Sequence, residues 1–582
     1  EIYKIEQNSE ILEAPKTKHE NPFCNCTSST LTCSSSPIQY ENKDIHKNNH
    51  KNSFKSNEPF SFCYHLGVLI YAPYFQKLTQ EGLGYIKQWL VAILLGCQNI
   101  EQTKTLHYSS LNNILGNTIK TTGNQRIAIK EYATQSNRDA ILKFNAKLVD
   151  VTQQQDFYYD PHTKHYTGHL KTLATWCPGV RLAGKGLNMD FIHTREGYPV
   201  YFNTTDNFYD LRERFMKNII QFRQLMGFSE DAILTHVIDR GIYSIDVFRD
   251  IIKSSNNHIV TWEKGYTRDK WDTKIKSGSG AIIKKRNHKT DLQLVHYKYQ
   301  EQSWDRDNGM RQILVRIYNK RWKILIEVSI LTDDKIRDAN EIIQLMLKRW
   351  VQENDFKYLI KHFGINQITS YAFIDYKDLR DKIDDKLYTC GKHKKLTKQI
   401  QGVRAKLKTA LLSQYNFQQK YPDVKQLKLS EKEKQRKNKI WMKVNSLNTE
   451  LKKLEKERKE SANQVSKLDE LVDQNYKKLD TNAKSFMDAI KILARNIFYL
   501  SLQPFKEKYD NFRDDHEIYR NLSRAGGVIN NDENIVTLIP TMQYPKKMKF
   551  ILEEILNEIN EKKSNWPDNS NREITLKLTD KY

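Results

Sequence analysis

Two short apolar runs in this chain each end in an aspartate, Tyr158-Tyr-Asp160 and Val237-Ile-Asp239. A third carboxylate, Glu353, stands in Leu347-Lys-Arg-Trp-Val-Gln-Glu-Asn-Asp-Phe-Lys357, a helical stretch otherwise lined with Arg, Lys and Trp. This trio constrains the fold more than any bulk property. An Asp that closes a buried strand is held rigidly, and two such strands side by side bring their carboxylates together. A helix packed beside them adds the third. The gaps are 79 and 114 residues, so the second has room for an insertion within an α/β layer.

The intervening sequence fits such a layer. Residues 157–160 predict a strand, and residues 187–202 a hairpin turning at Glu196-Gly197, where a Gly at positive φ is suited. An amphipathic helix is expected over 208–226, a buried strand over 233–239, a helix over 247–252 and a further strand over 258–262. Strand, hairpin, helix, strand, helix, strand is the order of a ribonuclease H-like α/β layer. Residues 263–320 alternate charged and apolar positions, with Ser and Gly at 277–280 and strand-like runs at 292–299 and 312–318. They predict an inserted β region. Residues 323–331 return as a strand, and 339–363 read as one long helix carrying Glu353.

At 582 residues, 38% apolar, the chain has material for several domains. The expected architecture is multidomain α/β: a ribonuclease H-like core with an inserted β region, an N-terminal helical domain and a C-terminal helical and coiled-coil region. Residues 1–55 are polar, with Ser, Asn and Lys clusters, and are expected to be disordered. Residues 56–150 are helical, read either as a helix-turn-helix DNA-binding domain or as a cap on the next domain. The α/β layer takes 151–375, with the β insertion at about 263–322. Residues 376–482 are a basic helical hairpin. Between 391 and 460 stand 21 Lys and Arg against 7 Asp and Glu, a net of +14. Ile440, Val444, Leu447, Leu451 and Leu454 recur at steps of three and four, a coiled-coil seam, with a break expected near Tyr421-Pro422. That segment reads as a DNA-tracking arm or, preferably, as a coil that pairs two copies. Residues 483–582 are a final mixed helical domain.

The net charge of +24 points to a polyanion, nucleic acid first. The longest apolar stretch, Trp89 to Cys97, is too short to cross a bilayer, and no signal-peptide pattern opens the chain. It begins at Glu1 rather than Met, so its true N-terminus is expected upstream. Seven scattered Cys do not make a disulfide framework, which favours a reducing cytoplasm. Cys24, Cys26, Cys33 and Cys63, with His65, are a zinc candidate, but their spacing matches no common pattern and inert cysteines are the simpler reading.

Three carboxylates in this order suit phosphodiester chemistry with two Mg²⁺ ions roughly 4 Å apart. Mg²⁺ takes oxygen ligands and retains water, so Asp160, Asp239 and Glu353 suffice to hold the pair, with Mn²⁺ as a substitute.

On these residues the chain resembles a DDE transposase of the bacterial insertion-sequence type, with a β-strand insertion between the second Asp and the Glu. Tyr158-Tyr-Asp-Pro-His-Thr-Lys-His-Tyr-Thr-Gly168 resembles the first-Asp motif, and Gly197-Tyr-Pro-Val200 the hairpin after it. Val237-Ile-Asp-Arg-Gly-Ile-Tyr-Ser244 resembles the second-Asp motif. Ile330-Leu-Thr-Asp333, followed by Arg349-Trp-Val-Gln-Glu353-Asn-Asp-Phe-Lys357, resembles the block around the Glu. The resemblance spans roughly 155–375, and Ala494-Arg-Asn-Ile-Phe498 and Tyr509-Asp-Asn-Phe-Arg-Asp-Asp-His516 extend it more loosely. The family pattern is Tyr-x2-Arg-x3-Glu-x6-Lys. Arg349 and Glu353 match it, Met346 and Ile360 stand at the Tyr and Lys positions, and Lys357 or Lys361 is the substitute for the Lys.

The resemblance implies an enzyme that binds terminal inverted repeats in double-stranded DNA and pairs two ends as a homodimer. It would cut to expose a 3′-OH and join that hydroxyl to target DNA, in a bacterial cytoplasm at the nucleoid. It also implies that Arg349, with Lys357 and Lys361, meets DNA phosphate, that Arg240 is a weaker candidate of the same kind, and that Trp271 or Trp304 of the insertion stacks on an unpaired base. His162 and His165 read as ordinary hydrogen-bonded histidines. A nuclease without strand transfer, and an inactive DNA-binding descendant of a transposase, are the alternatives.

Overall fold

A computed structural model describes residues 60–116, 119–177, 181–254, 256–267, 270–285, 292–421, 429–461, 463–511, 513–530, 534–568 and 570–579. Segment 1–55, with Cys24, Cys26 and Cys33, lies outside them, as does Pro422.

A short strand β1 (Phe60–Cys63) precedes helices α1 (Ala72–Gln80), α2 (Lys87–Leu94), α3 (Tyr108–Leu115), α4 (Thr122–Tyr132) and α5 (Gln135–Leu148). The chain then builds a ten-stranded sheet from β2 (Asp156–His165), β3 (Ala174–Cys177), β4 (Leu182–Thr194), β5 (Pro199–Thr205), β6 (Leu234–Ile238), β7 (Asn257–Trp262), β8 (Gly278–Lys285), β9 (Leu292–Ser303), β10 (Arg311–Tyr318) and β11 (Ile324–Thr332). The order is β5-β4-β2-β6-β7-β11-β10-β9-β8, with β3 also on β4. β6 runs parallel to β2 and to β7, and every other pair is antiparallel. Helix α6 (Leu211–Met226) joins β5 to β6, and α7 (Ile245–Lys253) joins β6 to β7. β8, β9 and β10 extend the layer as antiparallel strands, and β11 returns beside β7.

Local sequence sets these elements. Asp210 caps α6 by accepting from the Arg212 and Glu213 amides, while the Glu213 side chain reaches back to the cap, a reciprocal capping box. In β2 the side chains alternate. Phe157 and Tyr159 face α6, where their rings meet Phe222 and Phe215 at 4.9 Å. Tyr158 faces the other way, into a core with Val237, Val260 and the buried side of α8 (Ala339–Leu347). The strand period of two therefore gives Asp160 the face of Tyr158, and Asp239 the face of Val237. That is the face covered by α8 and its successor α9 (Trp350–Tyr358).

The expected long helix over 339–363 is two helices and a turn. α8 stops at Leu347, α9 starts at Trp350, and Leu359–Phe363 form a wider π-type turn closed by Gly364. The chain breaks where Arg349 turns toward Asp160.

Beyond the layer lie β12 (Phe373–Asp375), β13 (Leu387–Thr389), α10 (Gly391–Lys420), α11 (Glu431–Glu460), β14 (Gln464–Ser466), α12 (Lys467–Asp473), β15 (Lys477–Leu479), α13 (Asn482–Lys508), α14 (Asp515–Ser523), β16 (Gly526–Asn530), β17 (Ile535–Ile539), α15 (Lys546–Asn560) and β18 (Thr575–Leu578). β12 pairs β15 and β13 pairs β14. The N-terminal and C-terminal parts are not separate. β1 joins β16, β17 and β18 in one sheet, and residues of α2, α5, α13 and α15 share one core with β2, β5 and α6. The helices of 72–148 thus pack into the core of the α/β layer.

Every residue of α13 from Phe486 to Phe498 is buried. A helix apolar on nearly all sides belongs in a core, and its polar members are paired: Lys484 and Lys491 with Asp488, and Asn496 with Asn145. The seam of α11 is filled within the chain. Val444 and Leu447, with Leu451 and Leu454, pack on Val403, Leu407 and Ala410 of α10. The partner that packs on this seam is α10 of the same chain. Among the described residues no helix is long and apolar enough to cross a membrane.

Candidate active site

Tyr159 of β2 lies opposite Ile238 of β6 in parallel register. The next residue on each strand is Asp160 and Asp239, so the two carboxylates leave neighbouring strands at the same height and on the same face. Glu353 comes from α9 above them. Arg349 links the set: its guanidinium is 2.7 Å from Glu353 Oε1 and 3.9 Å from Asp160 Oδ1. Asp239 accepts from the Arg240 amide at 2.8 Å and keeps 44% of its side chain exposed. The three acids therefore lie near one another, with Arg349 as the counter-charge.

Loss of hydration raises the Asp160 carboxyl to about 7; Arg349 opposes the shift, and the negative charges of Glu353, Asp239 and Asp190 add to it. A carboxylate crowded by two others and served by one guanidinium is short of positive charge. Asp190, the fourth acid, is neutralised separately by Arg214, which donates to both its oxygens at 2.7 and 3.2 Å.

A buried network fixes α9 over the strands. Gln352 donates to the Tyr158 carbonyl at 3.1 Å, two residues before Asp160, and its amide nitrogen lies 3.1 Å from His193 Nδ1. His193 Nε2 lies 3.1 Å from Asp355 Oδ2. Asp355 Oδ1 accepts from Arg495 of α13 at 2.5 Å, and Arg495 also donates to the Gly197 carbonyl at 3.0 Å. Burial lowers the basicity of His193 despite Asp355, which suits a neutral ring that donates from Nε2 and accepts at Nδ1. One chain of contacts thus joins the helix of Glu353, the strand of Asp160, the β4–β5 turn and the central helix. The sequence reading missed all four of Gln352, Asp355, His193 and Arg495. The available signal was periodicity: Gln352, Asp355, Phe356, Leu359 and Phe363 form the inward stripe of 350–363, and two of its positions are polar.

The other expected site residues scatter. Lys357 and Lys361 are exposed on the outer side of the same helical segment. Arg240 is exposed, 3.9 Å from Asp239. Arg349 makes the ion pair with Glu353 described above. His162 Nε2 bonds Asn366 at 2.7 Å and stacks on Phe356, an ordinary hydrogen-bonded role. Met346, at the family's Tyr position, is buried in the core beneath α8. Trp271 lies under the Arg316 guanidinium, 4.1 Å from its ring centre. Trp304 is fully buried, its indole N–H donating to Glu263 at 3.1 Å. No base can reach it, and that expectation is corrected: Trp304 packs Tyr243 and Phe248. The insertion offers another ring instead. Trp322, 60% exposed at φ +56°, sits in the β10–β11 turn among Lys320, Arg321 and Lys323. The turn between two strand-like runs was the signal for it. At the zinc candidate, the Cys63 thiol donates to the Ser110 carbonyl at 3.6 Å, and the described residues hold no group of three or more His, Cys, Asp or Glu suited to a metal ion.

The fold is mixed α/β with carboxylates at the strand ends. Residues 216–574, more than half of the chain, match a family described as "Transposase protein". The chain belongs to this transposase family; the matched stretch contains Asp239 and Glu353, with Asp160 ahead of it. No curated protein matches. Among solved structures, a piggyBac transposase synaptic complex with hairpin DNA is similar at 10% identity and a TM-score of 0.26, over 51% of this chain and 59% of that one. The Argonaute of Aquifex aeolicus is similar at 10% identity and a TM-score of 0.17, over 33% of this chain and 24% of that one. This chain therefore spans less than two thirds of either.

Proposed function

We propose that this transposase is a DDE enzyme of the ribonuclease H-like kind, which cuts DNA at the ends of its element and joins the freed 3′-OH to target DNA. The observation that carries the reading is the placing of Asp160 and Asp239 at equal height on neighbouring parallel strands, beneath the helix of Glu353. The strand order β5-β4-β2-β6-β7, two antiparallel pairings followed by two parallel ones, supports this reading, and on it β8 to β10 would be the inserted β region.

The donor set fits Mg²⁺. All three side chains offer oxygen, and Asp160 is raised first by burial and further by its acidic neighbours, a condition a divalent cation relieves. Each of two ions would take two of these carboxylates and water, so no three-residue cage is needed. When bound, such a pair supplies activation of the attacking oxygen and stabilisation of the leaving one. The chain's own residues do the rest. Asp160, Asp239 and Glu353 would hold the ions. Arg349, freed from Glu353, is positioned to meet a phosphate next to the cut. Arg240, Lys357 and Lys361 extend that basic surface, and Trp322 or Trp271 supplies a stacking face for an unpaired base. Two copies working on two ends complete the reaction.

The test is cleavage of labelled DNA carrying the element's ends, with Mg²⁺, by the wild type and by Glu353→Gln. The wild type is expected to cut at the ends and the variant to bind without cutting. Cutting without joining identifies a nuclease, and binding with no cutting even in Mn²⁺ identifies an inactive descendant.

A further inference from the structure

The two helices of the basic hairpin differ in a way that packing does not require. α10 carries eight Lys and Arg and not one Asp or Glu in 30 residues, whereas α11 carries eleven against six. α11 interleaves its charges, with pairs such as Lys434–Glu431 and Lys456–Glu460, as a solvated helix does. In α10, Arg404 pairs with Glu455 across the hairpin and the charge of Lys420 acts on Glu433; among the described residues the other six cations make no ion pair with a carboxylate. All eight are exposed.

This arrangement works against the helix. Lys394 and Lys398, and Arg404 and Lys408, are like charges four residues apart, which repel. Lys392, Lys394 and Lys395 crowd the first turn, where the helix dipole disfavours cations. A helix selected only to close the hairpin would carry acids at these positions. The buried side of α10 is Leu396, Ile400, Val403, Leu407 and Ala410; at 100° per residue Lys394, Lys398 and Lys408 fall on the opposite side. α10 is about 45 Å long, more than the ~34 Å of one duplex turn.

We propose that the outer face of α10 is a duplex-DNA docking surface that holds the phosphate backbone without reading sequence. The choice of DNA over another polyanion rests on the transposase reading above; the surface itself rests on the charge asymmetry of the hairpin. It separates grip from chemistry: the arm holds DNA at a distance from the carboxylates, through contacts that any sequence provides.

The experiment measures the affinity of the full chain for a random-sequence duplex at several salt concentrations. It compares the wild type, Lys394→Gln/Lys398→Gln/Lys408→Gln, and a charge-matched triple on α11, Lys439→Gln/Lys443→Gln/Lys452→Gln, with circular dichroism confirming the helices. Each phosphate contact contributes about 0.9 to the slope of log affinity against log salt. The α10 triple is expected to lower the slope by up to about three, so the loss of affinity from 50 to 200 mM salt shrinks by up to ~40-fold. The α11 triple is expected to change the slope by less than one. Equal slopes for the wild type and the α10 triple overturn the proposal, as do equal losses for both triples, which would report net charge alone. Binding to heparin or to an acidic peptide but not to duplex overturns it in favour of another polyanion. Because the readout is binding, a protein that never cuts DNA but loses slope in the α10 triple leaves this surface standing while the catalytic reading fails.

Discussion

Asp355 is two residues from Glu353 in sequence and points the opposite way, into a buried ion pair with Arg495. Both side chains are nearly inaccessible, at 2% and 3%. Such a pair contributes little net stability, yet removing one partner strands the other charge in the core at about 3–5 kcal/mol. Asp355→Ala is therefore expected to destabilise the chain by that amount in urea unfolding. Asp355→Leu/Arg495→Met, which removes both charges, should recover at least half of the loss. Cleavage should not recover with it, because Gln352 and His193 no longer hold α9 in register with Tyr158 and hence with Asp160. A double variant that regains both stability and cleavage would show that the network is only packing. That Asp160, Asp239 and Glu353 are candidates was legible in the sequence, because two acids close apolar runs and the third stands on a basic helix. His193 and Arg495, 140 residues or more from the helix they fix, were not, since a buried His on a strand looks like any other until its partner is known.

The elements divide in the same way. The strands and helices from 156 to 262 follow the periodicity closely, because each has one face in a core and one pattern to read. The long helix over 339–363 did not survive as one element. Apolar spacing continues through Lys348-Arg349, and the break comes from a tertiary pull, Arg349 turning to the acids, which no local propensity encodes. The seat for α9 is equally tertiary. Gly197, in the β4–β5 turn at φ +90°, lies under Val351, and a Cβ there would stand 2.6 Å from Val351 Cγ1. Gly197→Ala thus carries both the strain of a left-handed residue, about 1–2 kcal/mol, and a clash that pushes α9 outward. Gly227, at φ +72° with nothing within 4 Å, provides the comparison. Gly227→Ala is expected to cost about 1 kcal/mol and leave cleavage intact. Gly197→Ala should cost about 2–3 kcal/mol and lower cleavage at least tenfold. Equal effects of the two on cleavage would show that the turn does not position the site.

At the scale of the molecule, the largest core and the core of the basic hairpin are separate clusters. One runs from α2 through the α/β layer to α13 and β18, so the segments at the two ends of the described chain depend on each other. Their union was not legible in the sequence, because β1 and β16 pair across more than 460 residues. The other core belongs to the hairpin alone, Val403, Leu407, Ala410, Val444 and Leu447 with Leu451 and Leu454, and contributes nothing to the first. The hairpin leaves and re-enters through β13 and β14, where Thr389 faces Gln464; partners across such a ladder are about 5 Å apart. A two-residue turn bridges that distance. Replacing residues 390–463 with Asn-Gly should therefore remove the arm without opening the main core. The shortened chain is expected to unfold within about 3 °C of the wild type, a change of no more than about 3 kcal/mol at this size. It should bind duplex at least tenfold more weakly at 100 mM salt, with a shallower salt dependence. If it fails to fold, α10 and α11 support the main core, and the separation of grip from chemistry falls with that result.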